Sequence, residues 1–330
     1  MRLRFVDLFC GIGGFHLGIR AAAEALGVQA ECVMACDIDA ECRKMYLANF
    51  GFEPQGDVRQ IPAESVPPHD VLLAGFPCQP FSIIGRMSGL ADTRGTLFFE
   101  IARLLDACRP PAFVLENVKM LRNHRRGQTL ARILSVLSEL GYSTSHRILN
   151  ALDFGLPQKR ERLFIVGFRE PMPFAWPSGR VPMTPLREIL EQDVPPKYYA
   201  SAAIVESRRR WHEPDDEPTI WHENKAGNVS KYPFSCALRA NASYNYLLVN
   251  GERRLTEREM LRLQGFPDNY KIVCSYAQVR KQAGNAVPVP VVREVLVQVI
   301  RALDPSATSE DVYISTEVQP HLVMDGRPSK

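Results

Sequence analysis

The stretch 3-LRFVDLFCGIGG-14 passes from an apolar run straight into clustered glycines, and its reading decides the fold. A short apolar run of this kind reads as a buried strand, here over 3–9. The glycines 11-GIGG-14 then allow close approach of backbone and open an apolar helix that runs to about Leu26. The same alternation repeats downstream. Strands are predicted at 32–36, 71–75, 112–116, 145–150 and 163–168, and helices over about 39–49, 96–108 and 129–140. Strands alternating with helices at this spacing predict a doubly wound, mostly parallel α/β sheet. Such sheets keep their ligands at the carboxyl ends of the strands, so functional residues are sought there.

The 330 residues are 45% apolar and 23% charged, which suits one large globular domain with a smaller companion. No apolar run approaches the roughly 20 residues that cross a membrane. The start, MRLRFVDLFCG, enters a strand without a small-residue cleavage site, so no signal peptide is expected and the cytoplasm is the expected compartment. The cysteines form no C-x-x-C pair and none stands near a histidine at zinc-ligand spacing, so reduced thiols and no metal are expected.

After Phe168 the character changes. Prolines crowd 171–196, and 197–250 mixes Trp211 and Trp221 with many Tyr, Asn and Arg residues. A helical pattern returns at 255–264, where Thr256 and Glu259 have capping-box spacing, and 287–303 is a Val-rich helix. The expected organisation is a first domain over 1–184, a smaller one over 185–250, and a hinge and C-terminal segment returning to the first domain over 251–303. An acidic tail over 304–330, net −3, reads as poorly ordered and leaves 1–303 at +6. The loop 119-KMLRNHRRGQ-128 carries four positive charges and no acid. Basic loops of this kind suit a phosphate backbone, but from charge alone the reading is a solvated surface loop.

Three strand ends hold chemistry. Beyond the first strand, a G-x-G-x-x-G pattern would need glycine where His16 stands, which disfavours a pyrophosphate dinucleotide. Asp37, ending the second strand, is placed to accept hydrogen bonds from ribose hydroxyls. Asp57 is placed to read an adenine amino group and Phe9 to pack on the adenine, a set that points to S-adenosylmethionine. Cys78, in 75-GFPCQPFSIIGR-86, stands in a stiff loop leaving a buried strand, and Glu116 ends the next strand. A thiol beside a carboxyl group is a combination for nucleophilic chemistry, and an unpaired buried carboxylate is costly without such a purpose. Arg162, just before a further central strand, can reach the same pocket.

With these blocks in place the sequence resembles the DNA (cytosine-5) methyltransferases, especially the bacterial modification enzymes of restriction-modification systems. DLFCGIGG, GFPCQPFS, ENV, QKRERLFIVGF, LTEREMLRLQGFPDNY and KQAGNAVPVPVV match in the family's order and cover about 3–303. The resemblance implies the S-adenosylmethionine-dependent methyltransferase type of sheet with a smaller target-recognition domain, acting on double-stranded DNA. It implies that Cys78 adds to C6 of a cytosine flipped out of the duplex, that Glu116 holds and protonates N3, and that Arg162 holds O2. Phe9, Gly11 and Gly13 would border the cofactor, with Asp37 and Ile38 at the ribose and adenine. Asp57 and Val58 would complete the adenine site, Asn285 and Ala286 would sit near the methionine end, and Pro77 would hold the catalytic loop beside the cofactor. Ser82, Arg94 and Arg160 are candidates for backbone phosphates or loop closure. Arg239 and Asn241, with Arg208, Arg209, Arg210 and Asn245, are candidates for reading bases. A monomer is expected, sharing its site with a restriction endonuclease it need not touch and staying with the nucleoid through DNA.

The chain departs from the family pattern at Cys10, usually a smaller residue, at Ala237-Leu238 in place of Thr-Leu, and at Ile84 in place of a second serine. Two rivals keep the fold. A transfer-RNA cytosine methyltransferase would carry PPCQPFT and a Cys-Phe-Thr triplet, which this chain lacks. A non-catalytic DNA-binding relative would have no need of Cys78, Glu116 and Arg162 together.

Overall fold

The structure, a computed structural model, describes residues 2–77 and 97–307. The expectations for Cys78, Ser82, Ile84 and Arg94, and for the tail past residue 307, fall outside the described residues. The chain begins with β1 (Arg2–Leu8), α1 (Gly14–Ala25), β2 (Gln29–Cys36), α2 (Ala40–Phe50) and β3 (Val71–Gly75). It continues through α3 (Leu97–Cys108), β4 (Ala112–Val118), α4 (Gln128–Glu139), β5 (Ser143–Asn150), the short β6 (Gln158–Lys159) and β7 (Glu161–Phe168). The main sheet has the order β2-β1-β3-β4-β7-β5. The predicted strands and helices are all present, with ends moved by a few residues.

Four strands, β2, β1, β3 and β4, run parallel, whereas β7 runs antiparallel to both β4 and β5. The link 151–160 explains the reversal. It contains a single 3-10 turn and β6 but no helix, and a parallel return needs a crossover longer than this.

Helices cover both faces. On one, Leu3 and Phe5 of β1 pack with Ile19 of α1 and with Val292 and Leu296 of α9 (Val289–Leu303). On the other, Val6 and Leu8 pack with Leu104 and Leu105 of α3 and Ile133 of α4. Alternate residues of β1 thus enter opposite cores, as a period of two requires.

The second half is smaller and shares its core with the first. It contains α5 (Leu186–Ile189), α6 (Ala202–Arg209), β8 (Ile220–Glu223), β9 (Val229–Tyr232), β10 (Ser235–Cys236), β11 (Leu247–Val249), α7 (Glu257–Arg262) and α8 (Tyr276–Asn285). The strands β11-β8-β9 form an antiparallel sheet, and β10 pairs with β6. Leu238, Leu247 and Leu261 pack with Ile12 and with Met45 of α2, so the second half is seated on the first. The predicted capping box is formed: Thr256 Oγ1 accepts from Glu259 N at 3.1 Å and Glu259 Oε2 accepts from Thr256 N at 2.8 Å.

Arg208 corrects a sequence expectation. Its guanidinium is buried against Glu223 in bidentate geometry, at 2.8 and 2.6 Å, so it braces α6 on β8 and faces no base. Arg209 is likewise engaged, with Glu252 at 2.7 Å. In both cases an acid distant in sequence claims the charge.

Asp7 is the least comfortable group of the central sheet. It lies between Ala35 of β2 and Leu73 of β3, is fully buried, and neither carboxyl oxygen has a hydrogen-bond partner among the described residues. Burial, with the nearby Asp37 adding to it, pushes its carboxyl well above the usual range. The folded chain therefore holds a proton that the unfolded chain releases near the ordinary value of about 3.9. Between these two values wild-type stability falls as pH rises, by about 1.4 kcal/mol per pH unit, and Asp7→Asn abolishes that dependence. The stability of Asp7→Asn relative to wild type should accordingly grow from pH 5 to pH 7, measured by denaturant unfolding without cofactor. A difference that stays flat with pH would show that Asp7 is ionised in the fold.

Candidate active site

The carboxyl ends of β1, β2, β3 and β4 enclose a cavity of about 600 Å³. That volume is within the ordinary range for a site holding a cofactor-sized molecule, ~300–1,000 Å³. Phe9, Gly11, Asp37, Ile38, Asp57 and Val58 line one end. Pro77, Glu116 and Arg162 line the other, with Asn285 and Ala286 at the amino-terminal approach to α9. Residues more than two hundred positions apart in sequence, from Phe9 to Ala286, thus face one space.

The glycine loop shapes the cofactor end. Gly11 has a left-handed backbone, φ +52°, and a Cβ added there would meet nothing within 4 Å, so this wall is open to a ligand. Gly11 N donates to Asp37 Oδ2 at 2.8 Å, and Asp39 N donates to Asp37 Oδ1 at 2.8 Å. These bonds lower the Asp37 carboxyl, yet burial outweighs them and raises it. Held from behind by two amides, the carboxylate keeps lone pairs for a diol. Phe9 adopts φ +54°, uncommon for a residue with a side chain, and stands half-buried on the cavity wall.

Gly13 is not on that wall, which corrects its expected place beside a cofactor. It starts α1 at φ +81°, where a Cβ would stand 2.2 Å from the Phe50 ring. Phe50 in turn stacks on His16 with ring centroids 4.0 Å apart. His16 bonds Tyr46 Oη at 2.7 Å, and burial pushes its imidazole down to about 3. Aromatic rings therefore occupy the region that a third glycine would leave open in a dinucleotide fold.

Asp57 lies on the cavity but is engaged. Arg59 Nε donates to both of its carboxylate oxygens at 2.9 Å, and that partner lowers the carboxyl. An adenine amino group would share these acceptors with Arg59. Arg59 itself, together with Lys281, which pairs with Asp39 at 2.7 Å, lines the cavity and was not among the sequence candidates. The Asp57-x-Arg59 spacing was a signal for the first; nothing local marks the second.

At the other end Arg162 Nε lies 2.9 Å from Glu116 Oε1, with both side chains almost fully buried. Burial raises the Glu116 carboxyl above its usual value, opposed first by Arg162 and then by Arg160. A carboxyl raised in this way is a better proton donor at neutral pH. Asn117 fixes the neighbouring backbone: its Nδ2 donates to Phe76 O at 2.8 Å and its Oδ1 accepts from Val118 N at 2.9 Å. It thereby ties β4 to the segment that carries Pro77 toward Cys78. Asn117 was visible in the ENV block, but its clamping role was not.

The thiols sort themselves. All seven cysteines among the described residues have their thiols pushed up, burial being the largest cause in each. Cys36, on the cavity wall, reaches about 12. Such groups stay protonated and unreactive. Cys10, the departure from the family pattern, is one of them.

Arg160 corrects the second expectation about DNA contacts. It is 1% exposed, and its guanidinium donates to Leu238 O and Gly284 O at 3.1 Å and to Ala286 O at 2.6 Å. A guanidinium enclosed by carbonyls cannot face a phosphate. Arg239 and Asn241 are exposed on the same stretch that Arg160 anchors, and Arg239 lies over the Tyr246 ring, 4.7 Å from its centroid.

Comparison with known proteins agrees with this geometry. The model of the family "C-5 cytosine-specific DNA methylase" matches residues 3–301. Type II methyltransferase M.NgoBI of Neisseria gonorrhoeae is 52% identical over 290 residues, covering 87% of this chain and 90% of its own. Type II methyltransferase M.HaeII of Haemophilus aegyptius is 51% identical over 302 residues, covering 91% and 93%. The crystal structure of the S. pombe Dnmt2 methyltransferase shares the fold, with a TM-score of 0.69 at 19% identity over 92% of this chain and all of that one. No helix among the described residues is long and apolar enough to cross a membrane.

Arg160→Ala tests the corrected role. Three carbonyls lose a buried donor, so unfolding stability should fall by about 2–3 kcal/mol. The salt dependence of DNA binding should not change, whereas removing a phosphate-binding group would flatten the slope of log K against log[salt] by about 0.9. A flattened slope with unchanged stability would restore the phosphate role.

Proposed function

The chain belongs to the C-5 cytosine-specific DNA methylase family, and we propose how its own residues carry that family's reaction. It is a site-specific DNA cytosine-5 methyltransferase whose relatives are Type II methyltransferases of restriction-modification systems. The observation that carries the assignment of residues is the single cavity that joins the glycine loop and Asp37 to the buried Glu116–Arg162 pair.

The cavity's residues fit S-adenosylmethionine. The open wall at Gly11 admits a ligand, the Asp37 carboxylate suits ribose hydroxyls, and Phe9 with Ile38 and Val58 offers apolar surface to an adenine. Asp57 can take the adenine amino group, and Asn285 and Ala286 border the methionine end. When bound, the cofactor supplies a methyl group on a positively charged sulfur. Pro77 stiffens the approach to Cys78, whose thiolate forms a bond to C6 of the flipped cytosine. Glu116 delivers its proton to N3 as the C5–C6 electron pair becomes available, and Arg162 holds O2. C5 would take the methyl group as its bond to the cofactor's sulfur breaks; the C5 proton then goes to a base, the electrons of that C–H bond expel the Cys78 sulfur from C6, and N3 returns its proton to Glu116. The direction of the shift supports this order, because burial makes Glu116 hold a proton more firmly than an ordinary carboxyl does.

The chain acts on double-stranded DNA as a monomer in the bacterial cytoplasm, near the nucleoid. A restriction endonuclease reads the same site without touching it. Residues 1–184 carry the chemistry, 185–250 select the sequence, and 251–303 close the fold.

Mapping modified cytosines in a treated plasmid identifies the target. A duplex with 5-fluorocytosine at that position then tests the mechanism, because fluorine cannot leave C5 as a proton does. Wild type with cofactor should form an adduct that survives denaturation, and Cys78→Ser should form none. An adduct with the serine variant would remove Cys78 from the reaction.

The division of labour has its own test. Exchange of residues 185–250 for the corresponding segment of a relative with different specificity should move the methylated sequence and keep the reaction. An active chimera that still methylates the original sequence would place recognition elsewhere.

A further inference from the structure

The basic loop after β4 is not explained by the chemistry above. We propose that residues 119–126 form a phosphate-binding surface beside the mouth of the cavity. There Arg122, Arg125 and Arg126 grip the DNA backbone flanking the target. The proposal rests on the reading of the chain as a DNA methyltransferase.

Position is the first argument. Val118, immediately before the loop, lines the cavity together with Glu116 and is exposed. Glu116 and Arg122 are six positions apart, which limits their Cα separation to about 20 Å, roughly the width of a duplex. Any DNA that delivers a base to Glu116 therefore passes close to this loop.

The second argument is that the loop is fixed. Lys119 Nζ pairs with Glu161 of β7 at 2.7 Å, Leu121 is fully buried, and His124 Nδ1 bonds Thr129 Oγ1 at 2.7 Å. Between these anchors Arg125 and Arg126 adopt φ +51° and +57°. Two successive non-glycine residues in the left-handed region are unusual, since glycine adopts that backbone without steric cost. A loop needing only this shape would be better served by glycine, so the arginine side chains have a use of their own.

Third, the charges are unspent. Arg122, Arg125 and Arg126 are exposed, and among the described residues their side chains make no ion pair or hydrogen bond. From Asn117 to Ser138 the chain contains no acid. Arg59 and Arg103 are paired with carboxylates, and although Arg20, Arg147, Arg180 and Arg210 are as unpaired as the loop arginines, only the latter are clustered on one anchored loop beside the cavity. A fixed set of unpaired guanidinium groups near a DNA entry point suits backbone phosphates, which arginine binds through charge-assisted, often bidentate hydrogen bonds. This replaces the solvated-loop reading that charge alone gives.

The test uses the full-length protein and the mapped target in a duplex of about 30 base pairs, with binding measured across salt concentrations. In the variant Arg122→Ala, Arg125→Gly and Arg126→Gly the glycines keep the left-handed backbone. The slope of log Kd against log[salt] should flatten by about 2–3, near 0.9 for each phosphate no longer held, while Arg→Lys at all three positions keeps most of the slope. Should the triple variant melt early, Arg126→Gly alone should flatten the slope by about 0.9. An unchanged slope overturns the proposal, as does a fall in kcat with the slope intact, which would mean that the loop acts through Glu116. If wild type methylates no DNA at all, the failure lies with the underlying reading and is visible before any variant is made.

Discussion

A buried guanidinium holds the architecture together. Arg160 leaves water to bind carbonyls from three places: Leu238 in the recognition segment, Gly284 at the end of α8 and Ala286 before α9. Burying a cation is costly, and burial lowers its pKa well below the usual value. The neighbouring Glu116 offsets part of that cost, and Arg160 in turn opposes the burial of Glu116. One charge thus ties the 185–250 segment to the first half, holds the backbone around Asn285 and Ala286, and adds to the Arg162 field at Glu116. Scaffold and chemistry cannot be separated at this residue.

What was legible in the sequence is what depends on neighbours in sequence. The strand–glycine–helix passage at 3–14, the capping box at Thr256 and Glu259, and the strand-end positions of Asp37 and Glu116 are local patterns with local causes. The direction of β7 was not legible, because it follows from the lack of a helix in 151–160, where the eye sees only a short polar link. The fates of the arginines were also hidden. Arg160 meets a carbonyl 78 residues away, and Arg208 meets Glu223 across 15. A positive charge in a string of residues looks the same whether it will face phosphate, a carboxylate or a buried carbonyl. Only the fold decides which.

The cysteines show the reverse case. From composition they are equivalent, and the flanking prolines of 77-PCQP-80 were the single mark that set Cys78 apart. The structure supplies the contrast from the other side. Each described thiol is embedded among apolar neighbours or near carboxylates, conditions that disfavour a thiolate. Core packing and nucleophilic chemistry ask opposite things of sulfur. A chain can use cysteine for both only by keeping the two populations in different surroundings.

The order of strands then constrains where methyl transfer can happen. Asp37 follows β2, the Gly11 loop follows β1, Pro77 follows β3, and Glu116 stands near the carboxyl end of β4. Three inter-strand steps separate the ribose-binding end from the base-binding end, about 14 Å at the usual spacing. In the proposed arrangement the nucleoside of the cofactor occupies the first step and the flipped cytosine the last. Between them lies the middle step, bordered by the Gly11 loop and Pro77. That is where the sheet changes direction of winding, with β1 flanked by β2 on one side and β3 on the other, and where a cleft opens without any side chain having to be removed. The segment that carries Cys78 departs from the same step. The residues proposed for the cofactor and for the base share one cavity because parallel strands end side by side, and the topology itself provides that juxtaposition.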